Sequence, residues 1–427
     1  MKVHIIGIGG TAAAYLVDIA INNGYVVTGS DSSSTNDFHK LENMGIRIFN
    51  SHRAENVSKD INEIWYSAAI TNSSSGYIEI EAAKRFDVPC LSFAQVAARF
   101  FNRANIRIAV AGTHGKSTTT AMMGWVLEKA GLNPTVALGA KLGEWGGNSR
   151  LGDESIFVIE ADEYARRFLE YNPTHAIITS VEQDHFDTYP TALEYENAFK
   201  KLVNLTTHAL VINYQYPMSH NIIKGFDGTL IKYTEPLAGI TLHMPGKHNL
   251  LNATAVYEMA SILGVPHAII IDALKSFPGI ERRFEYIGSV GETKIYDDYG
   301  HHASELRATL EATKETFPDM KLILIYQPHQ AGRLRHQMDE TVSALDIADK
   351  VILLPVYKVP GRESDEDVEV ATSEELMYRA VKLGQDVELA QSNEEAANKV
   401  RNYLKSRTLI LTMGATDVYK VGQLLLK

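Results

Sequence analysis

At 427 residues the chain is long enough for two or three packed domains, and with 45% hydrophobic and 22% charged residues it is composed like an ordinary globular protein. A net charge of -11 with no long basic run excludes a nucleic-acid-coating or anionic-membrane-binding surface, yet leaves room for a phosphorylated substrate held by a few local Lys and Arg side chains. The one cysteine, Cys90, excludes an internal disulfide and CxxC metal centres, and is expected to be a small buried apolar residue. No apolar stretch nears membrane-spanning length and the N-terminus has no signal architecture, so a cytoplasmic protein is expected, a monomer or homodimer.

Val3 to Ile6 reads as a strand, followed by Gly7-Ile8-Gly9-Gly10-Thr11-Ala12, a helix to about Asn22, and a second strand from Tyr25 to Ser30 ending at Asp31. This is a βαβ unit with a G-x-G-x-x-A turn and an acid about twenty residues on. Taken alone it points to a nicotinamide dinucleotide. Its physics asks only for a diphosphate on a helix N-terminus and an acid near a ribose or base, which a UDP group satisfies equally. Further strands are expected at Gly45 to Phe49, Glu63 to Ser67 and Val88 to Leu91. Ser67 stands at a strand's C-terminal end, where open sheets bind ligands.

A second α/β unit begins with the apolar run Ile106 to Ala111, then Gly112-Thr113-His114-Gly115-Lys116-Ser117-Thr118, then a helix ended by Gly131. Strand, glycine-bearing turn and helix together make a phosphate-binding loop, although G-x-x-G-K-S is shorter than the common G-x-x-x-x-G-K-[ST]. The glycines bring backbone N–H groups to phosphate oxygens, Lys116 brings a positive charge to the β- and γ-phosphates, and Ser117 offers a hydroxyl to Mg2+. The strand Ser155 to Ile159 delivers Glu160-Ala161-Asp162-Glu163, and Ala176 to Ser180 delivers Glu182, Asp184, His185 and Asp187. Glu160 suits a Mg2+ ion or its waters, and His185 a second divalent ion or a phosphate oxygen. Glu163, Asp184 and Asp187 receive no role. Asn249 and Asn252 fall three apart on one helix face and offer carboxamides that fit an adenine edge. Leu142 to Asp153, rich in glycine, is expected to be a mobile loop near the substrate.

Phe277-Pro278-Gly279 punctuates the chain like a hinge. Beyond it lie Arg282-Arg283-Phe284, a strand ending in Asp297-Asp298-Tyr299-Gly300-His301-His302, and a buried strand ending in Gln327-Pro328-His329-Gln330-Ala331-Gly332-Arg333. Arg333 can hold a carboxylate or pair with a nearby acid. The pattern predicts three doubly wound α/β domains: a Rossmann-like one over residues 1–100, a P-loop ATPase-like one over 101–279 and a second Rossmann-like one over 280–427.

In order along nearly the whole chain, Gly7-Ile8-Gly9-Gly10, the 112–120 loop, Glu160-Ala161-Asp162-Glu163, Asp184-His185-Phe186-Asp187, His248-Asn249-Leu250-Leu251-Asn252-Ala253, Arg282-Arg283-Phe284 and Tyr296 to His302 resemble the landmarks of the Mur ligases. These are the ATP-dependent amide-forming enzymes of peptidoglycan assembly. The resemblance implies ATP and Mg2+ as cofactors, with UDP-N-acetylmuramate and a small amino acid, L-alanine first, as substrates, or a murein tripeptide in place of the amino acid as in a recycling member of the family. It implies that Lys116 holds the transferred phosphate, that Ser117 and Glu160 serve one Mg2+ and His185 another, and that Asn249 and Asn252 meet adenine. Arg283 would reach the phosphates and Asp298 the ribose. Gly7, Gly9, Gly10, Asp31 and Ser67 would hold the UDP part, and His301, His329 and Arg333 the substrate end. His329 is the candidate to take the amine's proton. Gln330 stands where some members have Arg, and Ser180 where many have Asn. Two other classes stay open on the residues alone: a nicotinamide-dependent dehydrogenase, resting on residues 7–31, and a nucleotide-binding module without catalysis.

Overall fold

The computed structural model describes residues 1–32, 37–359, 363, 365–404 and 407–427. Three sheets follow one another along the chain. The first contains β1 (Lys2–Ile6), β2 (Val26–Ser30), β3 (Arg47–Phe49), β4 (Glu63–Tyr66) and β5 (Cys90–Ser92), all parallel, in the order β3-β2-β1-β4-β5. The second contains β6 (Ile106–Ala111), β7 (Pro134–Leu142), β8 (Gly147–Arg150), β9 (Asp153–Glu160), β10 (His175–Ile178), β11 (Ala209–Asn213) and β12 (Thr229–Tyr233). Its order is β12-β11-β10-β6-β9-β7-β8, parallel except at the β7–β8 edge. The third contains β13 (Glu285–Val290), β14 (Thr293–Asp298), β15 (Lys321–Tyr326), β16 (Lys350–Leu353), β17 (Val387–Leu389) and β18 (Thr408–Met413). Its order is β13-β14-β18-β15-β16-β17, with only β13–β14 antiparallel. The three-unit α/β architecture read from the alternation of apolar runs is therefore the one observed.

The apolar runs explain why these segments pair. Ile108 to Ala111, Val158 and Ile159, Ala176 to Ile178 and Leu210 to Ile212 are almost wholly buried, as strands covered by helices on both faces must be. Within the second sheet, β9 and β10 flank β6, so the chain leaves β6 in opposite directions and opens a crevice at its C-terminal end. The phosphate loop sits in that crevice.

The cores divide unevenly. One apolar body runs through the first two units, joining Leu16, Trp65 and Phe101 to Phe157, Tyr171 and Phe199. Phe101 closes the helix Phe93–Phe101, which starts on a Ser92/Gln95 capping box, and its ring meets Phe157 and Tyr171 edge-on at 5.6 and 5.3 Å. A second core fills the other face of the middle sheet around Met122, Val126, Val256 and Phe277. The third unit has cores on both faces of its own sheet, around Leu306, Leu324 and Leu353 and around Ile323, Ile352 and Val421.

Two expectations are corrected. Residues 142–153 do not form a mobile loop. They turn through a short 3-10 segment at Gly143–Trp145 into β8, an edge strand paired antiparallel with β7. The polar residues that read as loop are spent on the first domain: Asn148 Nδ2 donates to Thr11 O (2.7 Å), and Ser149 donates to Asp18. Cys90 opens the edge strand β5 and is half-buried rather than buried, because an edge strand is covered incompletely.

Because Phe101 is wholly enclosed between two units, Phe101→Ala should cost about 3–5 kcal/mol. In a denaturant melt the loss should appear in the transition of the first two units and leave that of the third, which has separate cores, in place.

Candidate active site

The strand β6 runs into the loop and then into the helix Lys116–Lys129. Gly112 and Gly115 take φ values of +139° and +79°. A Cβ at Gly112 would collide with Thr179 Oγ1, and one at Gly115 would sit 2.6 Å from Asn252 Oδ1, so both positions need glycine. The loop is tied to the end of β10: Thr113 N–H donates to Ser180 O (3.2 Å) and His114 N–H to Ser180 Oγ (2.8 Å). Lys116 Nζ lies 2.6 Å from Gly112 O, 3.1 Å from Thr113 O and 2.8 Å from Glu163 Oε2. Two loop carbonyls accept from its ammonium, and Glu163 supplies the counter-charge. Burial works against the ammonium, but Glu163 and the acids beside it outweigh that and raise its pKa.

Acids converge from β9. Ser117 Oγ donates to Glu160 Oε1 (2.9 Å) and Gly139 N–H to Glu160 Oε2 (2.6 Å), while burial raises the Glu160 pKa. Asp162, Glu163 and His185 bring one ligand atom each within 4.8 Å of one another. His185 takes φ +54°, its Nε2 is 3.7 Å from Glu163 Oε1, and its buried Nδ1 has no hydrogen-bond partner. Hard carboxylate and hydroxyl oxygens beside an orphaned imidazole nitrogen fit a divalent cation such as Mg2+. Of the expected metal set, Ser117 and Glu160 touch directly, whereas His185 belongs with Asp162 and Glu163. Glu163, given no role from sequence, is the group that binds Lys116.

On one side of the loop lies a pocket lined by Gly115, Thr118, Asn249, Asn252, Arg283 and Asp298. The third unit closes it. Asp298, at the end of β14, accepts N–H bonds from Phe284 (2.9 Å) and Gly300 (2.7 Å), and burial lifts its pKa to about 6. Asn252 packs on the loop at Gly115, while Asn249 Nδ2 donates to Pro245 O (2.7 Å). On the other side a larger cleft is lined by Lys116, Glu160, His185, His301, His329 and Arg333, with Thr11 of the first unit at its edge. His301 is held neutral, at about 3, by burial and by Arg333. The His329 ring stacks on Tyr357 at 5.4 Å and meets His301 edge-on at 5.2 Å.

Arg333 is not paired with an acid on the surface. Its Nε and Nη2 donate to Asp184 Oδ1 (3.0 Å) and Oδ2 (3.1 Å), and its Nη1 lies 3.2 Å from His329 Nδ1. Arg333 and Asp184 come from different units, and both side chains are at most 9% exposed. Burial disfavours the Asp184 carboxylate, but Arg333 overrides it and holds that pKa well below the usual range.

The first-unit residues gather apart from this cleft, around the ends of β1, β2 and β4. Gly7 has φ +84° beside the Ser67 side chain, Gly9 N–H donates to Asp31 Oδ2 (3.0 Å), and Gly10 caps the helix Thr11–Asn22. Thr11, next along the chain, reaches the shared cleft.

Comparison with known proteins bears on all three units. The Mur ligase family catalytic domain model matches residues 2–105, the Mur ligase middle domain 110–236, and the Mur ligase glutamate ligase domain 282–416. A UDP-N-acetylmuramate–L-alanine ligase of Acetivibrio thermocellus is 33% identical, covering 100% of this chain and 95% of that protein. The chain belongs to the Mur ligase family. Another relative of the same name, from Geotalea uraniireducens, is 32% identical over 100% of this chain and 97% of its own. Among solved structures, the UDP-N-acetylmuramate–alanine ligase of Thermotoga maritima superposes with a TM-score of 0.83 at 27% identity, covering 100% of this chain and 98% of that one. A murein peptide ligase of Psychrobacter arcticus shares the fold at a TM-score of 0.72 and 23% identity. In this Mur ligase the sequence landmarks of the second and third units therefore meet in one seam.

Removing one partner of the Arg333–Asp184 pair leaves a buried charge, so Arg333→Met or Asp184→Asn should each cost about 3–5 kcal/mol, and the double variant far less than their sum. A double-mutant cycle by thermal unfolding measures this.

Proposed function

We propose that this Mur ligase joins L-alanine to UDP-N-acetylmuramate at the expense of ATP, through an acyl-phosphate, in the cytoplasmic stage of peptidoglycan synthesis. The observation that carries the reading is the seam itself: Lys116, Glu160 and His185 from the middle unit face Arg283, His329 and Arg333 from the last across one cleft. The names of relatives at 33% and 32% identity support these substrates.

A carboxylate carbon is a poor electrophile. The lactyl carboxylate of the sugar attacks the γ-phosphorus, the bond to the β,γ-bridging oxygen breaks, and ADP leaves. The amine then attacks the acyl carbon, phosphate departs with the bonding pair, and a base takes the amine's proton. Lys116 and Arg283 neutralise charge on the transferring group, and the loop N–H groups orient it. Ser117, Glu160 and His185 would hold Mg2+, which supplies charge neutralisation and alignment of phosphate oxygens. Asn249 and Asn252 face adenine, and Asp298 the ribose. Gly7, Gly9, Gly10, Asp31 and Ser67 form the cradle for the UDP part, and His301 shapes the substrate end. His329, held between His301 and Tyr357, would take the amine's proton. Arg333, with Nε and Nη2 on Asp184 and Nη1 turned to His329, would meet an incoming carboxylate beside the His329 ring. The dehydrogenase reading leaves this entire cleft without a task.

Phosphate release and product mass with ATP, Mg2+, UDP-N-acetylmuramate and a panel of amines test the proposal. L-Alanine should be incorporated, chelation of Mg2+ should stop the reaction, and Lys116→Ala should slow it by at least about 10²- to 10³-fold. Incorporation of a tripeptide but no single amino acid would instead assign a recycling ligase.

A further inference from the structure

The third residue of the phosphate loop has a side chain that the chemistry above does not use. The His114 ring leaves the loop and enters the start of the helix Ala303–Thr316 in the third unit. Its Nε2 lies 3.2 Å from Glu182 Oε2, within its own unit, and its Nδ1 lies 3.4 Å from Glu305 Oε1 across the seam. Ser304 Oγ also sits 3.1 Å from Nε2. A neutral imidazole carries one N–H and one lone pair, so one of the two carboxylates would face that lone pair. An imidazolium presents positive charge to both.

Glu305 shows what such a contact does. Its Oε2 accepts the N–H groups of His301 (3.1 Å) and His302 (3.3 Å), closing the helix cap. Its Oε1 is shared by His114 and by Arg283 Nη1, also at 3.4 Å. The orientation of Arg283 is therefore coupled to His114 through one oxygen. We propose that His114 is a positioning residue: as an imidazolium bridging Glu182 and Glu305, it locks the third unit onto the phosphate loop and sets Arg283 over the nucleotide. The kinetic arm of this inference rests on the ligase reading; the geometric arm does not.

The neighbours agree on the charge. The His302 ring is 4.4 Å away and is held neutral, at about 4, by burial and by the His114 cation. His248, on the helix Lys247–Ile262, is held at about 4 by burial and by Arg283. Burial disfavours the His114 cation too, but Glu305 and Glu182 outweigh it and raise its pKa to about 9. A folded-state pKa above the ordinary 6.5 gives a contribution complete below 6.5 and lost as pH rises through about 9. The clamp should thus be closed at neutral pH and open in alkali.

The test uses the full chain in two arms. In small-angle X-ray scattering without nucleotide, the wild type should expand as pH rises through about 9, while His114→Gln should already be expanded at neutral pH and insensitive to that rise. In kinetics, kcat/KM for ATP should show an alkaline limb near the same pH. His114→Gln should lower kcat/KM by of order 10²-fold and lose the limb. Glu182→Gln, which removes one of two facing carboxylates, should move the limb down by about one unit or more. A merely structural histidine would leave the limb where it was. Equal scattering and kinetics in His114→Gln, or an unmoved limb in Glu182→Gln, overturns the proposal. If His114→Gln does not fold, Glu182→Gln decides alone. If the wild type makes no product, the ligase reading fails and scattering alone decides the clamp.

Discussion

Charges buried across a domain seam govern this molecule. The first two units are welded by apolar packing around Phe101, Phe157 and Tyr171, a contact indifferent to ligand and pH. The third unit has apolar cores of its own and meets the others through Arg333–Asp184, His114–Glu305 and Ser304–Glu182, with the Phe186 and His336 rings stacked across the seam at 3.9 Å. Such contacts exact a desolvation penalty and return it only when geometry is met on both sides. A seam of this kind has a defined closed state and a low cost of parting. A ligase that must admit its substrates and then close on them needs both properties.

The same seam explains which residues were legible in sequence. Strand tips are readable, because an apolar β-run ending in Gly, Ser, Glu or His marks both the strand and its exit. Gly112 to Ser117, Glu160, His185 and His329 are singled out in this way, whereas Asp298 is singled out only by the family resemblance. The partners of those residues were not. Nothing local in Glu163 says that it binds Lys116, forty-seven positions earlier in the chain, since that pairing depends on β9 lying next to β6. Asp184 looked like one acid among several until the third unit brought Arg333 onto it. The reading of 142–153 failed for a related reason: glycine and polar residues also compose an edge strand when a neighbouring helix takes up their side chains, as Thr11 and Asp18 do for Asn148 and Ser149.

Lys116 illustrates how the site is prepared for an anion. Its ammonium is held by two carbonyls of its own loop and by the buried Glu163. The carbonyls fix where the ammonium sits; the carboxylate supplies the counter-charge. A phosphate entering the loop would carry more charge than Glu163 and would meet loop N–H donors as well, so it would compete for Lys116 on favourable terms. Glu163 Oε1 is then left facing His185 Nε2 at 3.7 Å and Tyr195 Oη at 3.2 Å. A carboxylate released from lysine beside an imidazole with an orphaned nitrogen is a place where positive charge is favoured. Glu163 thus stands between the loop ammonium and the His185 imidazole, so a charge entering on either side would act on the other through one side chain.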